Sequence, residues 1–556
     1  MAKRVAVIGA GPSGLVTVKE LLEEGHQPTC FERARAAGGV FRFDESDGVV
    51  WDSCRLTSSG PITAFSDFSV PAEGTGHLSA QEYAEYLSRY VKRFALEPHL
   101  RFGMKVQAVS RAQDGAWLVR VTDASGTVRE ERFDAVAVCS GLHQHPHFPR
   151  HPGQETFTGC VLHGSQYRRP EQVAGKRVLV VGGGESGGDI AAEVSRSAAA
   201  TVLSLRRGIA VLPRRRRGFP NDYRTARISN SAATWVFQTR NPADRWKRLV
   251  YSIAFFPAVL ADKIVQTITN IVYEDLPLFR WPPSETATRF RMRRVVRQLL
   301  RDSGGTVDEQ FGTKGEEFVR AIATGRCRRA GPIERFEGPR VLFVDGSSFD
   351  PEIVIFATGF DSTVQFLDRE TSEPARFLHL INPSLGPSFG FIGFVRPAYG
   401  AIPPLAELQA RYFALLQSGK AKLPPDDQIE RSIEAQQAFR RHHFRAVQGR
   451  LPHLVDFTSF ADEVASWVGC KPTVDAVRAE GLGFRIRFFA SAFVAAQYRL
   501  VGPHAKPDLA REVIGGLPIS HPAPMLTLFY LRWVLSRLLH RALGKDLAPK
   551  LALGPR

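Results

Sequence analysis

A chain of 556 residues is too long for one ordinary domain of about 100 to 200 residues, so at least two cores are expected. Hydrophobic residues make up 44% and charged residues 23%, the ordinary globular range, which excludes a chain dominated by disorder. The 73 Lys and Arg outnumber 56 Asp and Glu to leave +17, an excess open to nucleic acid, an anionic membrane or a phosphorylated cofactor.

The apolar run at residues 5–8 is too short for a signal peptide and leads directly into a glycine turn. It reads as a strand, followed by Gly9-Ala10-Gly11-Pro12-Ser13-Gly14 and an apolar-periodic helix to about residue 24. Gly9 permits the tight turn, Gly11 lets the backbone approach a pyrophosphate, and Gly14 lets helix and strand pack closely. Pro12 and Ser13 complete the turn at the helix N-terminus, where N–H groups and the helix dipole favour phosphate. The next strand, residues 27–31, ends at Glu32, close to the ~20-residue spacing of a ribose-binding acid. A carboxylate there accepts from both hydroxyls of an unphosphorylated ribose, which favours FAD or NAD over NADP. Gly39, in the Gly38-Gly39 pair, suits a close backbone approach to the same cofactor.

A second strand, turn and helix begins at residues 176–181 and continues through Gly182-Gly183-Gly184-Glu185-Ser186-Gly187. Here Gly182, Gly184, Ser186 and Gly187 form the turn. The following strand, residues 200–205, ends not in an acid but in Ser204-Leu205-Arg206-Arg207, and Ser204 with Arg206 suits a ribose 2'-phosphate. The second ligand is therefore expected to be NADPH. The four arginines at 214–217 lie among Pro and Gly without the aromatic, Gly-rich pattern of RNA-binding segments, so nucleic acid is not an expected partner.

Two cradles of opposite ribose preference imply a hydride path from NADPH to flavin. Six cysteines, Cys30, Cys54, Cys139, Cys160, Cys327 and Cys470, include no CxxC pair, so a redox dithiol, a zinc ribbon and a disulfide framework are all disfavoured. The acceptor is then oxygen, a quinone or another small molecule, in a reducing cytoplasmic setting.

Residues 157–168, FTGCVLHGSQYR, resemble the FxGxxxHxxxY fingerprint of the flavin-containing monooxygenases. Further matches follow in the family's order: SLRRGIAVLP at 204–213, Asp345-Gly346, ATGF at 357–360, FIGF at 391–394 and ELQAR at 407–411. Residues 456–472 and QYRLVGP at 497–503 are similar to the C-terminal signatures of the eukaryotic-type branch, whose class B enzymes include N,N-dimethylaniline monooxygenases. The resemblance spans about residues 3 to 505. It implies that NADPH reduces FAD, that O2 adds at flavin C4a, and that a small soft nucleophile, an amine nitrogen or a sulfide sulfur, attacks the resulting hydroperoxyflavin. It also adds Thr358 and Gly359 of the ATGF motif to the cofactor-binding set. Such chemistry needs water exclusion and positioning rather than a side-chain nucleophile or a metal. His143, His145 and His147 alternate, but Pro146 and Pro149 interrupt them, so a loop near the flavin is expected there and no metal.

One segment departs from the family. Typical members carry a Thr-Asn pair after the first Gly-Gly, and the Asn amide is implied to support the oxygenated flavin. Residues 51–68 here read WDSCRLTSSGPITAFSDF, which puts Thr57 at the Asn position with Ser58 and Ser59 beside it. A hydroxyl lacks the two N–H donors and separate acceptor of an amide. These three residues are the candidate oxygen-activating position. Two alternatives follow: an uncoupled NADPH oxidase or quinone reductase, and Baeyer–Villiger oxidation of ketones. The latter needs the opposite protonation state of the adduct, and the commoner enzymes of that type have Trp where this chain has Tyr167.

The expected fold is α/β, with two Rossmann-like dinucleotide-binding domains and the NADPH domain inserted into a discontinuous FAD domain. The leading FAD segment spans 1–165, the NADPH domain 166–325 with a helical insertion at about 214–300, and the returning FAD segment 326–430, including the strand 353–356. A helical region follows at 431–520, then a basic tail at 521–556. The insertion holds Trp235, Trp246 and an apolar stretch at 249–261, short of the ~20 residues of a spanning helix. In the tail, Leu528, Leu531, Val534, Leu535, Leu538, Leu539 and Ala542 share one helical face. Arg532, Ser536, Arg537, His540 and Arg541 lie opposite, with Trp533 at the rim. Such a helix can lie in an anionic headgroup layer or against a second copy of the chain, and the resemblance favours peripheral, monotopic contact on the cytoplasmic face.

Overall fold

The computed structural model describes residues 2–46, 48–70, 76–216, 218–227, 282–304, 312–372, 375–444, 447, 451 and 453–519. The expectations for Trp235, Trp246, 249–261 and the tail helix lie outside these residues.

β-branched and apolar runs bounded by glycine turns become buried parallel strands. In chain order these are β1 (Arg4–Ile8), β2 (Gln27–Glu32), β3 (Leu100–Phe102), β4 (Ala135–Val138), β5 (Cys160–His163), β6 (Arg177–Val181), β7 (Ala200–Ser204), β8 (Cys327–Ala330), β9 (Ile353–Phe356) and β10 (Phe389–Phe391). The first sheet has the order β10-β4-β1-β2-β3 and the second β8-β7-β6-β9-β5. All neighbours within both run parallel. The two sheets repeat one plan. Each sends its central strand, β1 or β6, through a glycine turn into a helix, α1 (Pro12–Glu23) or α2 (Glu185–Val194). Each also carries a small three-stranded antiparallel sheet, at residues 105–133 between β3 and β4 and at 333–349 between β8 and β9. The α/β fold with two dinucleotide-binding units is thus as expected.

Strand membership departs from the expected boundaries. Strand β5, at the end of the leading FAD segment, and strands β8 and β9, in the returning one, all belong to the second sheet, where Val178 pairs with Ile353 and Ile353 with Cys160. The reason is hydrogen bonding: without β9 the backbone of β6 would face an open edge in the middle of its own unit. The chain returns to the first sheet at β10, which pairs with β4.

The helical region after residue 430 packs largely onto the first unit. Helices α3 (Ile402–Ser418) and α4 (Phe457–Val468) bury Phe413, Leu405, Phe460 and Val464 in one cluster with Val5, Leu15 and Val16 of the first unit. Among the described residues no helix is long and apolar enough to cross a membrane.

Candidate active site between two cradles

The first cradle is closed by contacts that leave no room for a side chain. Gly9 adopts φ +105°. A Cβ at Gly14 would lie 1.7 Å from Gly9 O, and one at Gly39 would lie 2.9 Å from the Gly11 Cα, so the 38–39 loop closes directly over the turn. Gly38 N–H donates to Ala10 O at 3.0 Å. Pro12 opens α1. Ser13 lies beneath Gly393, whose Cβ would come 2.1 Å from Ser13 Oγ. Glu32 is buried at the end of β2, its Oε2 accepting from Ala10 N–H at 2.7 Å and its Oε1 from Ala34 N–H at 2.8 Å. A carboxylate offers about four acceptor positions, so two remain for ribose hydroxyls. These residues fit a dinucleotide with a plain ribose.

The second cradle repeats the geometry. A Cβ at Gly187 would lie 2.1 Å from Gly182 O, whereas Gly184 faces open space, as a phosphate-facing turn requires. Ser186 is exposed at the start of α2. Ser204 is buried and its hydroxyl donates to Gly331 O at 2.8 Å, so it fixes the strand end. Arg206 is the exposed cation. Its neighbour Arg207 is half-buried, and burial together with the Arg206 charge lowers its pKa. Two guanidinium groups side by side suit a 2'-phosphate dianion.

The fingerprint residues brace the units together. Ser165 N–H donates to His163 Nδ1 at 3.1 Å, which leaves the proton on Nε2, and that atom donates to Gly359 O at 2.9 Å. Burial lowers the His163 pKa and keeps the ring neutral. Thr358 Oγ1 donates to His147 O. Thr358 and Gly359 therefore tie the 143–148 loop to the end of β9. Tyr167 is fully buried and donates to Glu193 Oε1 at 3.0 Å, while Ser53 donates to Glu193 Oε2. Trp51, from the first unit, packs into the same apolar cluster as Tyr167.

Thr57, Ser58 and Ser59 lie where the units meet. Thr57 is half-buried, and the Ser58 and Thr63 hydroxyls are 2.8 Å apart. Ser59 N–H donates to Asp222 Oδ2 at 2.6 Å; the 221–224 turn that carries Asp222 follows the second unit's Arg214 in the chain but buries Tyr223 in the first unit's core. Burial raises the Asp222 pKa, and its Oδ1 has no partner among the described residues. Around this seam Arg214 pairs with Asp189 at 2.5 Å and Lys314 with Glu185 at 3.4 Å. Burial pushes Asp189 up to about 6 despite Arg214. Burial and the nearby Arg214, Arg215 and Lys314 push His77 down to about 4.

The sequence profile of the flavin-binding monooxygenase-like proteins matches residues 2–239 and 305–516. The chain belongs to that family. Its cofactors are FAD and NADPH. This monooxygenase is 34% identical over 546 residues, 97% of its length and 98% of the relative's, to the 4-hydroxybenzoate brominase (decarboxylating) of Pseudoalteromonas luteoviolacea. It is 30% identical to flavin-containing monooxygenase 2 of Homo sapiens, covering 90% of this chain and 89% of that one. Among solved structures, the S-allyl-L-cysteine S-oxygenase of Allium sativum aligns with a TM-score of 0.57 at 21% identity, over 84% and 89% of the two chains.

Sequence reasoning did not find Asp222, Gly393 or Gln409. Gln409 Oε1 accepts from Gly393 N–H at 2.9 Å and so sets the turn that covers Ser13. Gln409 and Gly393 both sit inside motifs read from the sequence, and their 16-residue separation was the available signal. His143, His145 and His147 do not converge: His147 pairs with Asp361 at 3.1 Å, and His143 meets Phe360 edge-on at 5.2 Å. Among the described residues no three such side chains are placed to hold a metal.

Proposed function

We propose that this monooxygenase uses NADPH and O2 to place one oxygen atom on a soft nucleophile, an amine nitrogen or a sulfide sulfur. One observation supports the reading: two glycine-turn cradles flank a seam, where Asp222, on the segment that leaves the second unit, fixes the Ser59 backbone of the first. When bound, reduced flavin supplies two electrons to O2 and presents one oxygen in electrophilic form. In this reading Gly9, Gly11, Pro12, Ser13, Gly14, Glu32 and Gly39 hold FAD in a unit formed by the described residues of 2–159 and 357–519. Gly182, Gly184, Ser186, Gly187 and Arg206 hold NADPH in a unit of about 160–356, with Ser204 beneath Arg206. Thr57, Ser58 and Ser59 line the oxygen side, and Thr358 and Gly359 keep the cradles in register. The test is product and peroxide yield per NADPH with tertiary amines and thioethers. One N-oxide or sulfoxide per NADPH is expected. Peroxide equal to NADPH whatever is added, or esters from a ketone panel with amines inert, would replace this reading by the oxidase or the Baeyer–Villiger one.

A second reading is favoured by the 34% identity, across nearly the whole chain, to proteins named 4-hydroxybenzoate brominases. Bromide is also a soft nucleophile and would compete for the same electrophilic oxygen. Brominated product from bromide plus 4-hydroxybenzoate, with amines and thioethers inert, would select it.

The amphipathic pattern of 521–556 supports peripheral contact with an anionic membrane surface on the cytoplasmic face. Salt-sensitive binding to phosphatidylserine vesicles is expected. A salt-insensitive dimer without vesicle binding would assign the tail to a second copy instead.

A further inference from the structure

Beyond the carboxyl ends of the first sheet lies a half-buried cation that no motif uses. The Arg376 guanidinium carbon is 3.6 Å from the Phe391 ring centre and 5.5 Å from that of Phe394. Its Nη2 donates to Ser372 O, its Nε is sealed without a partner, and no carboxylate pairs with it among the described residues. Burial brings its pKa down to about 10, with no neighbouring acid to raise it. A half-buried guanidinium with a sealed, unsatisfied Nε is costly to keep.

Beside it stands a strained imidazole. Leu378 and His379 take φ of +53° and +52°, two consecutive side-chain-bearing residues in the left-handed region. Gln409 Nε2 holds this kink through Leu378 O at 2.9 Å while its Oε1 holds Gly393, so one side chain ties the kink to the FAD cradle. The His379 ring lies 6.3 Å from that of His453 and 5.8 Å from that of Phe460, and has no hydrogen-bond partner among the described residues. Burial, with His453, Arg376 and Arg440, pushes His379 down to about 3, so at neutral pH it is an uncharged ring able to donate and accept. The charges bearing on His453 are Arg376, Arg440 and Arg396. Arg396 in turn feels Glu185, the first residue of α2.

We propose that Arg376, with the His379 and His453 imidazoles, is an anion subsite that anchors a carboxylate of the substrate, making that substrate a small organic acid. The inference rests on the monooxygenase reading of the same cleft and narrows its substrate class. The planar guanidinium supplies the fork a carboxylate matches, and the neutral imidazoles complete its hydrogen bonds without adding charge. Stacking on Phe391 and the Gln409 clamp keep the fork fixed, so little ordering entropy is lost on binding.

The probe is benzoate against its uncharged isostere benzamide, titrated calorimetrically into the oxidised FAD-loaded protein. Benzoate is expected to bind at least about tenfold more tightly. Arg376→Gln should lower benzoate affinity on the order of 10- to 100-fold, the loss of one charged hydrogen bond, and leave benzamide unchanged. Arg376→Lys should fall between, since an ammonium keeps the charge but lacks the fork. His379→Asn keeps a residue tolerant of the left-handed kink and should weaken benzoate separately from any folding defect. Equal affinity for benzoate and benzamide in the wild-type protein overturns the subsite. So does benzoate displaced competitively by NADP+, which would place the anion on the second cradle's arginines. Loss of FAD from Arg376→Gln with benzoate affinity retained overturns it as well, because the cation would then serve the cofactor. A wild-type protein that takes up no FAD removes the flavoprotein reading instead, a failure distinct from all of these.

Discussion

A methyl group at residue 14 would sit 1.7 Å from Gly9 O, a backbone atom with no freedom to withdraw. Gly14→Ala should therefore abolish the flavin's visible absorbance in purified protein while leaving the second unit able to bind NADP+. Retained yellow protein would mean that α1 can shift, and would remove the packing argument. Arg206 is the matching residue of the second cradle. Arg206→Ala should weaken NADPH by about 1.5 to 3 kcal/mol, the value of a charged hydrogen bond, and leave NADH nearly unchanged. Equal losses for both nucleotides, measured by steady-state KM, would transfer the 2'-phosphate to other residues. Both positions were readable from sequence because a nucleotide turn is local: strand, glycines, helix and the acid or arginine after the next strand lie within about 30 residues. Ser204 shows the limit of that reading. The spacing gave its place but not the Gly331 carbonyl, 127 residues away, that takes its hydroxyl.

At the scale of elements, α1 is held to α3 and to the segment around Arg499 by a buried charge network. Arg499 is fully buried and donates to Glu20 at 2.7 Å, Glu407 at 2.9 Å and Ser66 at 2.6 Å, while Lys19 reaches Asp67 at 2.5 Å. Burial alone would raise Glu20, but Arg499 and Lys19 outweigh it and hold Glu20 at about 2; Asp67 is likewise held well below the usual range. Both carboxyls are lowered in the folded state, so their stabilisation is present above the unfolded pKa values near 4 and is lost as pH falls toward 2. Burial raises Glu407 instead, so its ionised form costs stability near neutrality and offsets part of that gain. Acid unfolding with release of FAD is expected between about pH 4.5 and 2, followed by flavin fluorescence. Arg499→Met leaves Glu407 without its cation and Glu20 with Lys19 alone, and should cost about 3 to 5 kcal/mol in urea unfolding. A loss below about 1 kcal/mol would show the network to be dispensable. Nothing in sequence announces this network, because Arg499 and Glu20 are 479 residues apart. The two small antiparallel sheets were missed for a different reason: strands such as Val128–Phe133 and Ile333–Glu337 carry mostly exposed Arg and Glu, so period-two alternation is weak.

For the whole molecule, function depends on how the two units are held against one another. Each unit is legible in the chain's own motifs, but the exchange of strands between them is not, since β9 and β5 are recruited by hydrogen-bond completion rather than by adjacency in the chain. The same holds for the seam at Ser59. Its backbone N–H reaches Asp222 across 163 residues, so the candidate oxygen-activating segment takes its position from a distant part of the chain. Asp222 can serve in two ways, as an acceptor that places Ser59 or as a charge in the cleft. Asp222→Asn keeps a carbonyl acceptor and removes the charge, whereas Asp222→Ala removes both. If placement is the role, Asp222→Ala should raise the share of NADPH electrons released as hydrogen peroxide several-fold, and Asp222→Asn should stay within about twofold of the parent, as expected when a hydrogen bond of about 1 to 3 kcal/mol is lost or kept. Burial raises the Asp222 pKa, so its protonated form persists above the ordinary carboxylate range and mimics Asn there. Peroxide yield in the parent should therefore change little as pH rises through that range. Equal uncoupling by Asn and Ala, with a pH-dependent peroxide yield in the parent, would assign the effect to charge and separate it from the geometry of the seam.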